Sequence, residues 1–399
     1  MLSKKTAALA AVAGAAIVAL SVSVAPAQAF DPVSNGYAIV GSDTLEDAVG
    51  ALANGTNATG SGVRTTAADS STLGNFDATG SATIITKPYG IRFQRPNGSG
   101  DGRAALEKQI AGVAYTSVTG TPYSSVMLTG TPIDITRGSS GGTVGATNTL
   151  NGVNAVLTRY TFGRDAIAFA YGSSVTPGAN GYISTADMAK IFACDGSTLT
   201  AYGITTAVLP QGGSGTRKDF MSKLGIADSG YPTVTGTTGS GSLSCITVGQ
   251  EHDASTLPAG AVMPMSASRW IAMKNGLSYD KSGSASLGSL VSGAASVSVN
   301  SGVYKPVVAY YKDNTWGRDT YLFVDARRVD NTKPQYDATL AALFNYNDAT
   351  SLTYQGGASF SYANMSDANY PNFPAYTAAA AKLKFGFLPS SVQDTQTAY

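Results

Sequence analysis

Four clusters of glycine with small polar residues could each hold an anion by its oxygen atoms. They are Gly41 to Thr44 in YAIVGSDTLEDAVGAL, Asn97 to Gly102 in RPNGSGDGRAALEKQI, DITRGSSGG around Arg137, and LPQGGSGTRKDF from Leu209 to Phe220. A helix start presents unpaired N–H groups and a partial positive charge, so it attracts an anion. Glycine lets the backbone approach closely, and small hydroxyls add donors without bulk. One such turn could simply cap a helix, so the prediction of an anion site depends on the clusters acting together.

Strand patterns and helix patterns alternate along the chain, and the clusters fall at their junctions. Short apolar segments predict strands at Tyr37–Val40, Ala82–Ile85, Ala166–Tyr171, Ala207–Leu209, Ala261–Met265, Val307–Tyr311 and Tyr321–Val324. Apolar residues at helical spacing predict helices at Leu45–Ala53, Gly102–Ala111, Ser184–Phe192, Arg217–Leu224, Ser266–Asn275 and Tyr336–Phe344. This alternation predicts an α/β fold with parallel strand pairing. Ligands of open α/β sheets bind beyond the carboxyl ends of strands, where these clusters are expected.

The first 29 residues have the pattern of a cleaved signal peptide for secretion. Two lysines form a basic start, an apolar run follows from Ala7 to Leu20, and Ala27-Gln28-Ala29 offers small residues for cleavage after Ala29. The apolar run is too short for a transmembrane helix, and no comparable run occurs later. The first cysteine is Cys194, so no cysteine stands at the cleavage point to carry a lipid. We therefore expect a secreted, extracellular protein.

Composition limits the partners and cofactors that the protein can use. Removing the two lysines of the signal changes the formal net charge from +1 to −1, which leaves no basic excess for nucleic acid or an anionic membrane. Cys194 and Cys245 are the two cysteines, and in an exported protein they predict a disulfide. Closing a loop of about 50 residues would stabilise the fold by roughly 4 kcal/mol. The two cysteines and the lone His252 offer too few ligands for a metal, so no metal or other cofactor is expected.

Seven stretches, taken in order, resemble the phosphate-binding substrate-binding proteins of ABC uptake systems, and more narrowly their secreted actinobacterial relatives. The stretches are IVGSDTL, RPNGSGDG, STADMAKIFACDG, LPQGGSGTRKDF, QEHDAS, MPMSASRWI and KFGFLP, and they extend over most of the chain after the signal. The resemblance implies a type II periplasmic-binding-protein fold, α/β in two lobes that close on a ligand. Residues 30–157 and 258–399 would form one lobe, and residues 158–257, with the disulfide, the other. It also implies that the cleft is lined by Ser42, Asp43, Thr44, Ser99, Ser214, Gly215 and Thr216.

The sequence departs from the family pattern at the arginine expected to hold the anion. The family usually has an arginine four residues before the serine of SGT, where this chain has Pro210. Arg137 or Arg217 is expected to supply the guanidinium instead, because arginine can donate two parallel hydrogen bonds to an oxyanion.

A second departure concerns the carboxylate that distinguishes phosphate from sulfate. The family often carries an aspartate in the loop that reads TRGSS here, where Ser139 lies. Such a carboxylate accepts the proton of hydrogen phosphate, which fully ionised sulfate lacks. Asp43 or Asp134 could take that role in this chain.

The function expected from these patterns is noncatalytic binding of inorganic phosphate or a similar small oxyanion, by a monomer that works with an ABC permease. A second possibility is a cell-surface or adhesin-like protein, given the richness in glycine, serine and threonine. A third is a serine hydrolase, because GSSGG around Ser140 matches the G-x-S-x-G pattern and His252 could serve as its base. That pattern requires a helix directly after the serine, and the following GGTVGATNTLNG is a poor helix.

Overall fold

The computed structural model describes residues 33–117, 125–142, 148–357, 360–391 and, as backbone, 395–398. The expected secretion signal lies outside these residues. The strands are β1 Tyr37–Gly41, β2 Leu73–Asn75, β3 Thr83–Ile84, β4 Phe93–Gln94, β5 Ile135–Gly138, β6 Asn148–Leu150, β7 Val153–Ala155, β8 Leu157–Tyr171, β9 Thr206–Pro210, β10 Ile246–Gly249, β11 Ala261–Ser266, β12 Ser286–Gly288, β13 Val297–Asn300, β14 Val303–Pro306, β15 Gly317–Asp325 and β16 Thr395–Ala398. The α-helices are α1 Glu46–Asn54, α2 Ser99–Ala111, α3 Thr185–Phe192, α4 Gly196–Tyr202, α5 Gly215–Lys223, α6 Ala267–Lys274, α7 Val308–Lys312, α8 Ala326–Val329, α9 Ala338–Ala342 and α10 Ala378–Lys384. Over the described ranges, no helix has the length and apolarity needed to cross a membrane.

One long strand, β8, belongs to both halves of a continuous mixed sheet. The strand order is β10-β9-β11-β8-β15-β5-β1-β2. The first part of β8 pairs antiparallel with β15, and its last part pairs antiparallel with β11. Parallel pairs lie further out, where β1 pairs with β2 and β5, and β9 pairs with β10 and β11. We call the half with β1, β2 and β5 lobe 1, and the half with β9, β10 and β11 lobe 2.

Each lobe buries a core of its own. In lobe 1, α1 packs on the sheet through Val49 and Leu52, whose spacing is that of one helix face. In lobe 2, Phe169 of β8 packs in one cluster with Phe220 of α5 and with Trp316. Two cores joined by shared strands confirm the predicted fold class, an α/β chain in two lobes with a cleft between them.

The predicted disulfide between Cys194 and Cys245 is present in lobe 2. Cys194 follows the last turn of α3, and Cys245 directly precedes β10. Their Cα atoms lie 5.7 Å apart, and 51 positions separate them along the chain. The bond therefore ties the helical layer of lobe 2 to an outer strand of its sheet.

The segment Val307–Tyr311, predicted as a strand, forms most of helix α7 instead. Tyr310 and Tyr311 are both fully buried, and their hydroxyls donate to the carbonyls of Ile167 at 2.7 Å and Gly386 at 2.9 Å. Adjacent side chains of a strand would point to opposite faces of a sheet. The periodicity of so short an apolar run does not distinguish the two structures, and the tertiary contacts decide for a helix.

Lobe 2 also extends further along the chain than the expected boundary after Leu257. Strand β11 pairs with β8 and β9, and the chain as far as Trp316 contributes to the core of lobe 2. Strand β15 then pairs with β5 of lobe 1, and Met365 and Leu388, later in the chain, pack in the core of lobe 2.

Candidate functional site

The four glycine clusters lie against one another where the two lobes meet. Within lobe 1, the Ser42 N–H donates to the Arg137 carbonyl at 3.0 Å, which joins the first and third clusters. Across the cleft, the Gly100 N–H donates to the Gly213 carbonyl at 2.9 Å, which joins the second cluster to the fourth. The starts of α2 and α5 are therefore brought to the same place from opposite lobes.

Gly215, the first residue of α5, faces two hydroxyls of lobe 1. The Ser99 hydroxyl is 3.0 Å from the Ser139 hydroxyl and accepts from the Ser139 N–H at 3.0 Å. A Cβ atom on Gly215 would overlap both hydroxyl oxygens. Because the position has no room for a side chain, the glycine is required for this close approach of the lobes.

Arg318 provides a buried guanidinium at the point where the lobes meet. Its Nε and Nη2 donate to Asp165 Oδ2 at 3.1 and 2.9 Å, and Nη2 also lies 3.0 Å from Thr216 Oγ1 and 3.4 Å from Thr44 Oγ1. The guanidinium therefore contacts one threonine from each lobe. Nη1 is buried, lies 3.7 Å from Asp219 Oδ2, and has no hydrogen-bond partner in the part of the chain that the structure describes. Leaving a buried donor unsatisfied costs roughly 1–3 kcal/mol, which an acceptor on a ligand would remove.

The sequence signal for Arg318 is a tripeptide, Gly-Arg-Asp, that occurs in both crossing strands. Residues 163–165 of β8 and residues 317–319 of β15 carry it. Antiparallel pairing places Arg318 opposite Asp165, and Asp319 opposite Arg164, with 3.4 Å between the latter two charged groups. The sequence alone does not single out Arg318 or Asp165, because only the register of the two strands shows which charges meet.

His252 and Asp43 form a buried contact between the lobes. His252 Nδ1 lies 3.0 Å from Asp43 Oδ2, and Arg269 Nη2 lies 3.2 Å from Asp43 Oδ1. Burial by itself would raise the pKa of Asp43, but Arg269 and His252 outweigh it and lower that pKa. Asp43 is therefore an ionised carboxylate that is paired with Arg269 and His252.

Glu251 places a further buried carboxylate at the start of α5. Its Oε1 accepts from the Thr216 N–H at 3.3 Å, and its own N–H donates to Gln211 Oε1 at 2.7 Å. Its Oε2 is buried and has no hydrogen-bond partner among the residues that the structure describes. A free acceptor therefore lies beside the donors of the site. For the described ranges, no group of three histidine, cysteine or acidic residues could hold a metal ion.

The two arginines expected at the ligand are committed to the protein itself. Arg137 donates to three backbone carbonyls of lobe 1 at 2.8 to 3.2 Å, and to the side chain of Asn75. Arg217 donates to Asp228 at 2.6 and 2.9 Å and to two proline carbonyls. Both guanidinium groups therefore hold turns in shape through hydrogen bonds within the protein.

Other predicted residues have roles in the turns. Ser214 Oγ accepts from the Arg217 N–H at 3.0 Å and caps α5, and Ser42 Oγ accepts from the Thr44 N–H at 3.2 Å. The alternative carboxylate Asp134 accepts from the Ala38 N–H, near the opposite end of β1 from Ser42. Asp134 is therefore too far along the strand to serve the site.

The geometry expected of a serine hydrolase is absent from the described residues. The ring nitrogens of His252 face Asp43 and Thr216, and neither contacts Ser140. The next described element after Ser140 is strand β6, whereas the hydrolase pattern requires a helix.

Side-chain amides join the lobes beside the four clusters. Asn97 of lobe 1 accepts from Gln211 at 2.8 Å and exchanges hydrogen bonds of 3.2 Å with Gln250, both of lobe 2. Next to them lies a cavity of about 270 Å³ whose walls come from both lobes and include Thr79 and Thr235. The lobes are thus in contact beside the four clusters, and the cavity between the lobes is lined by two of the contacting amides, Asn97 and Gln250.

Comparisons with known proteins give matches to solved structures alone. No family model matches the chain, and no curated protein matches it. One solved structure, assigned as a phosphate ABC transporter substrate-binding protein with bound phosphate from Clostridium perfringens, is 14% identical over 78% of this chain and 93% of that chain, with a TM-score of 0.43. An ABC-type phosphate transport receptor from Vibrio cholerae is 16% identical over 76% and 93%, with a TM-score of 0.38. A phosphate-binding protein from Stenotrophomonas maltophilia is 12% identical over 73% and 78%, with a TM-score of 0.37.

Proposed function

We propose that this chain binds phosphate or a similar small oxyanion in the cleft between its lobes, without catalysing a reaction. The observation that carries the proposal is the buried Nη1 of Arg318, a cationic donor without a hydrogen-bond partner in the described chain. It lies where hydroxyls of both lobes and the starts of two helices converge, and each of these is a donor suited to an anion.

The ligand would be shared between the lobes. From lobe 1, Thr44 and the paired hydroxyls of Ser99 and Ser139 face it; from lobe 2, Thr216 and the start of α5 do so. All four of these side chains are buried, so an oxyanion held there is removed from water and its hydrogen bonds are strengthened.

Selectivity for phosphate over sulfate would come from Glu251. Its free Oε2 can accept a hydrogen bond from the protonated oxygen of hydrogen phosphate, whereas sulfate has no proton to donate and would be repelled by the carboxylate. This role replaces those expected of Asp43 and Asp134.

The proposal also includes an extracellular location and a membrane partner. The secretion signal predicts an extracellular protein, and a released monomer could deliver its anion to an ABC permease for uptake, or scavenge it. A cell-surface role would use the same fold without a small ligand.

The site is tested by Thr216→Val, which keeps the shape of the side chain and removes its hydroxyl. We expect phosphate affinity to fall roughly 10- to 100-fold, because a hydrogen bond to a charged group contributes roughly 1.5–3 kcal/mol. Isothermal titration calorimetry measures the affinity. Thr200→Val, on the exposed surface of α4, is the matched control. Ser214→Ala is avoided here, since it would remove a helix cap. Unchanged affinity in Thr216→Val would refute the site.

Ligand screening separates the functional classes. Melting temperature is followed with phosphate, sulfate and short sugars. A shift with phosphate supports the proposal, and the absence of any shift favours the surface role. Turnover of an ester substrate would favour the hydrolase.

A further inference from the structure

We propose that His252 is a positioning residue, whose protonated imidazole turns the Thr216 hydroxyl toward the bound oxyanion. This inference rests on the proposed function and adds that binding depends on the protonation state of His252. His252 is wholly buried and is the one histidine in the chain.

The Nδ1 atom of His252 has a fixed role. It lies 3.0 Å from Oδ2 of Asp43, which is an ionised carboxylate and can only accept. Nδ1 therefore carries a hydrogen whether the ring is neutral or charged. Any change of protonation occurs at Nε2.

The Nε2 atom faces Thr216 Oγ1 at 3.4 Å. The same oxygen lies 3.0 Å from Nη2 of Arg318, which always donates. A hydroxyl oxygen has two acceptor positions and one hydrogen to donate. When Nε2 carries a hydrogen, both acceptor positions are filled, and the hydroxyl hydrogen must point elsewhere, toward the ligand.

A neutral ring reverses this arrangement. Nε2 then has a lone pair, and the Thr216 hydroxyl donates to it instead of to the oxyanion. The protonation of His252 thereby decides whether the site has this donor. Binding should weaken as the ring loses its proton.

The surroundings of His252 favour the proton. Glu251 Oε1 lies 3.9 Å from Nε2, and Asp43 faces Nδ1. Burial by itself lowers the pKa of His252 and Arg318 lowers it further, but the hydrogen bond to Asp43 and the charge of Glu251 raise it overall. Arg269 and Lys281 lower the pKa of Asp43, which keeps the carboxylate facing Nδ1 ionised. The proton is therefore present below and somewhat above the usual pKa of 6.5, and is lost as pH rises through the raised value.

The backbone at His252 has an unusual conformation, which indicates that the surrounding structure holds this residue in place. Its φ is +56°, in the left-handed region that costs most residues energy. Asparagine tolerates this conformation well, so His252→Asn removes Nε2 while leaving the turn intact.

The first test compares phosphate affinity across pH 5.5 to 9 in wild type, His252→Asn and Thr216→Val. Taking ratios between variants cancels the titration of phosphate itself. We expect the wild-type association constant to fall about tenfold or more, relative to His252→Asn, as pH rises. In Thr216→Val this relative fall should vanish, because the hydroxyl that His252 positions is gone.

A second measurement uses nitrogen NMR on protein without a histidine tag, so that the single imidazole is observed alone. Nδ1 should stay protonated throughout, and Nε2 should lose its proton at a pH that rises when phosphate is added. A flat affinity ratio, or a fall that persists in Thr216→Val, would overturn the positioning role even though phosphate binds. Absence of phosphate binding by wild type at every pH would overturn the proposed function and this inference with it.

Discussion

Glu46 begins α1, separated from the first glycine cluster by Leu45, and its side chain is buried. Its Oε2 accepts from the Ala78 N–H at 2.6 Å, while Arg269 and Arg137 lie 3.8 and 3.9 Å from the carboxylate. Burial, and then the charge of Asp43, raise the pKa of Glu46 to about 7. Near neutral pH, this residue therefore binds a proton more strongly in the folded protein than in the unfolded chain.

The raised pKa makes a testable contribution to stability. Because the folded value lies above the unfolded value of 4.5, the contribution is complete below pH 4.5 and is lost as pH rises through about 7. The loss amounts to about 3 kcal/mol. Glu46→Gln cannot ionise and still accepts from the Ala78 N–H. The unfolding free energy of wild type should therefore fall relative to that of Glu46→Gln as pH rises from 5 to 8. Urea denaturation at both values measures this, and parallel pH profiles for the two proteins would contradict it.

At the level of elements, local patterns predicted helix α1 and several other helices, whereas α7 was predicted as a strand and the contacts between charged residues depend on strand pairing. Helix α1 was expected at Leu45–Ala53 and occurs at Glu46–Asn54, since caps and apolar spacing act within a few residues. The Arg318 contact with Asp165 spans 153 positions, and that of His252 with Asp43 spans 209. No local sequence pattern determines contacts between residues so far apart along the chain. Local patterns therefore indicate the amides and hydroxyls of the candidate site, but they do not indicate which of its charged residues meet.

The start of α5 is the element on which closure of the lobes depends. Gly215→Ala should favour the helix itself, yet its Cβ would overlap the hydroxyls of Ser99 and Ser139. We expect the lobes to stay apart, with a larger radius of gyration by small-angle scattering and at least a tenfold loss of phosphate affinity. Ser214→Ala is the neighbouring control. It removes the cap and about 1 kcal/mol of stability without adding an atom to the cleft, so its scattering should match wild type. A compact Gly215→Ala protein would show that this contact does not limit closure.

For the whole molecule, the site lies where the shared strands cross between two separate cores. The pairing of β8 with β15 shifts register between Thr320 and Tyr321, just after Arg318. A ligand on Arg318 that also touches Thr44 and Thr216 would bind both lobes at once. Its binding free energy would therefore favour the closed arrangement over an open one.

The disulfide offers a test of how independent the two lobes are. Cys194 and Cys245 both lie in lobe 2, and the core around Phe169 and Trp316 is distinct from the core of lobe 1. Replacing both cysteines with alanine should lower the unfolding free energy by about 4 kcal/mol, because the unfolded chain gains freedom over the loop. Hydrogen exchange should then accelerate first in α3, β9 and β10, while β1 and β2 keep their protection. Reduced wild-type protein lacks the disulfide but keeps both cysteine side chains. If it gives the same exchange pattern, the effect comes from loss of the bond and not from loss of the side chains. If exchange accelerates equally in both lobes, the shared strands β8 and β15 couple the two cores into one cooperative unit, and lobe movement must then come from bending of those strands.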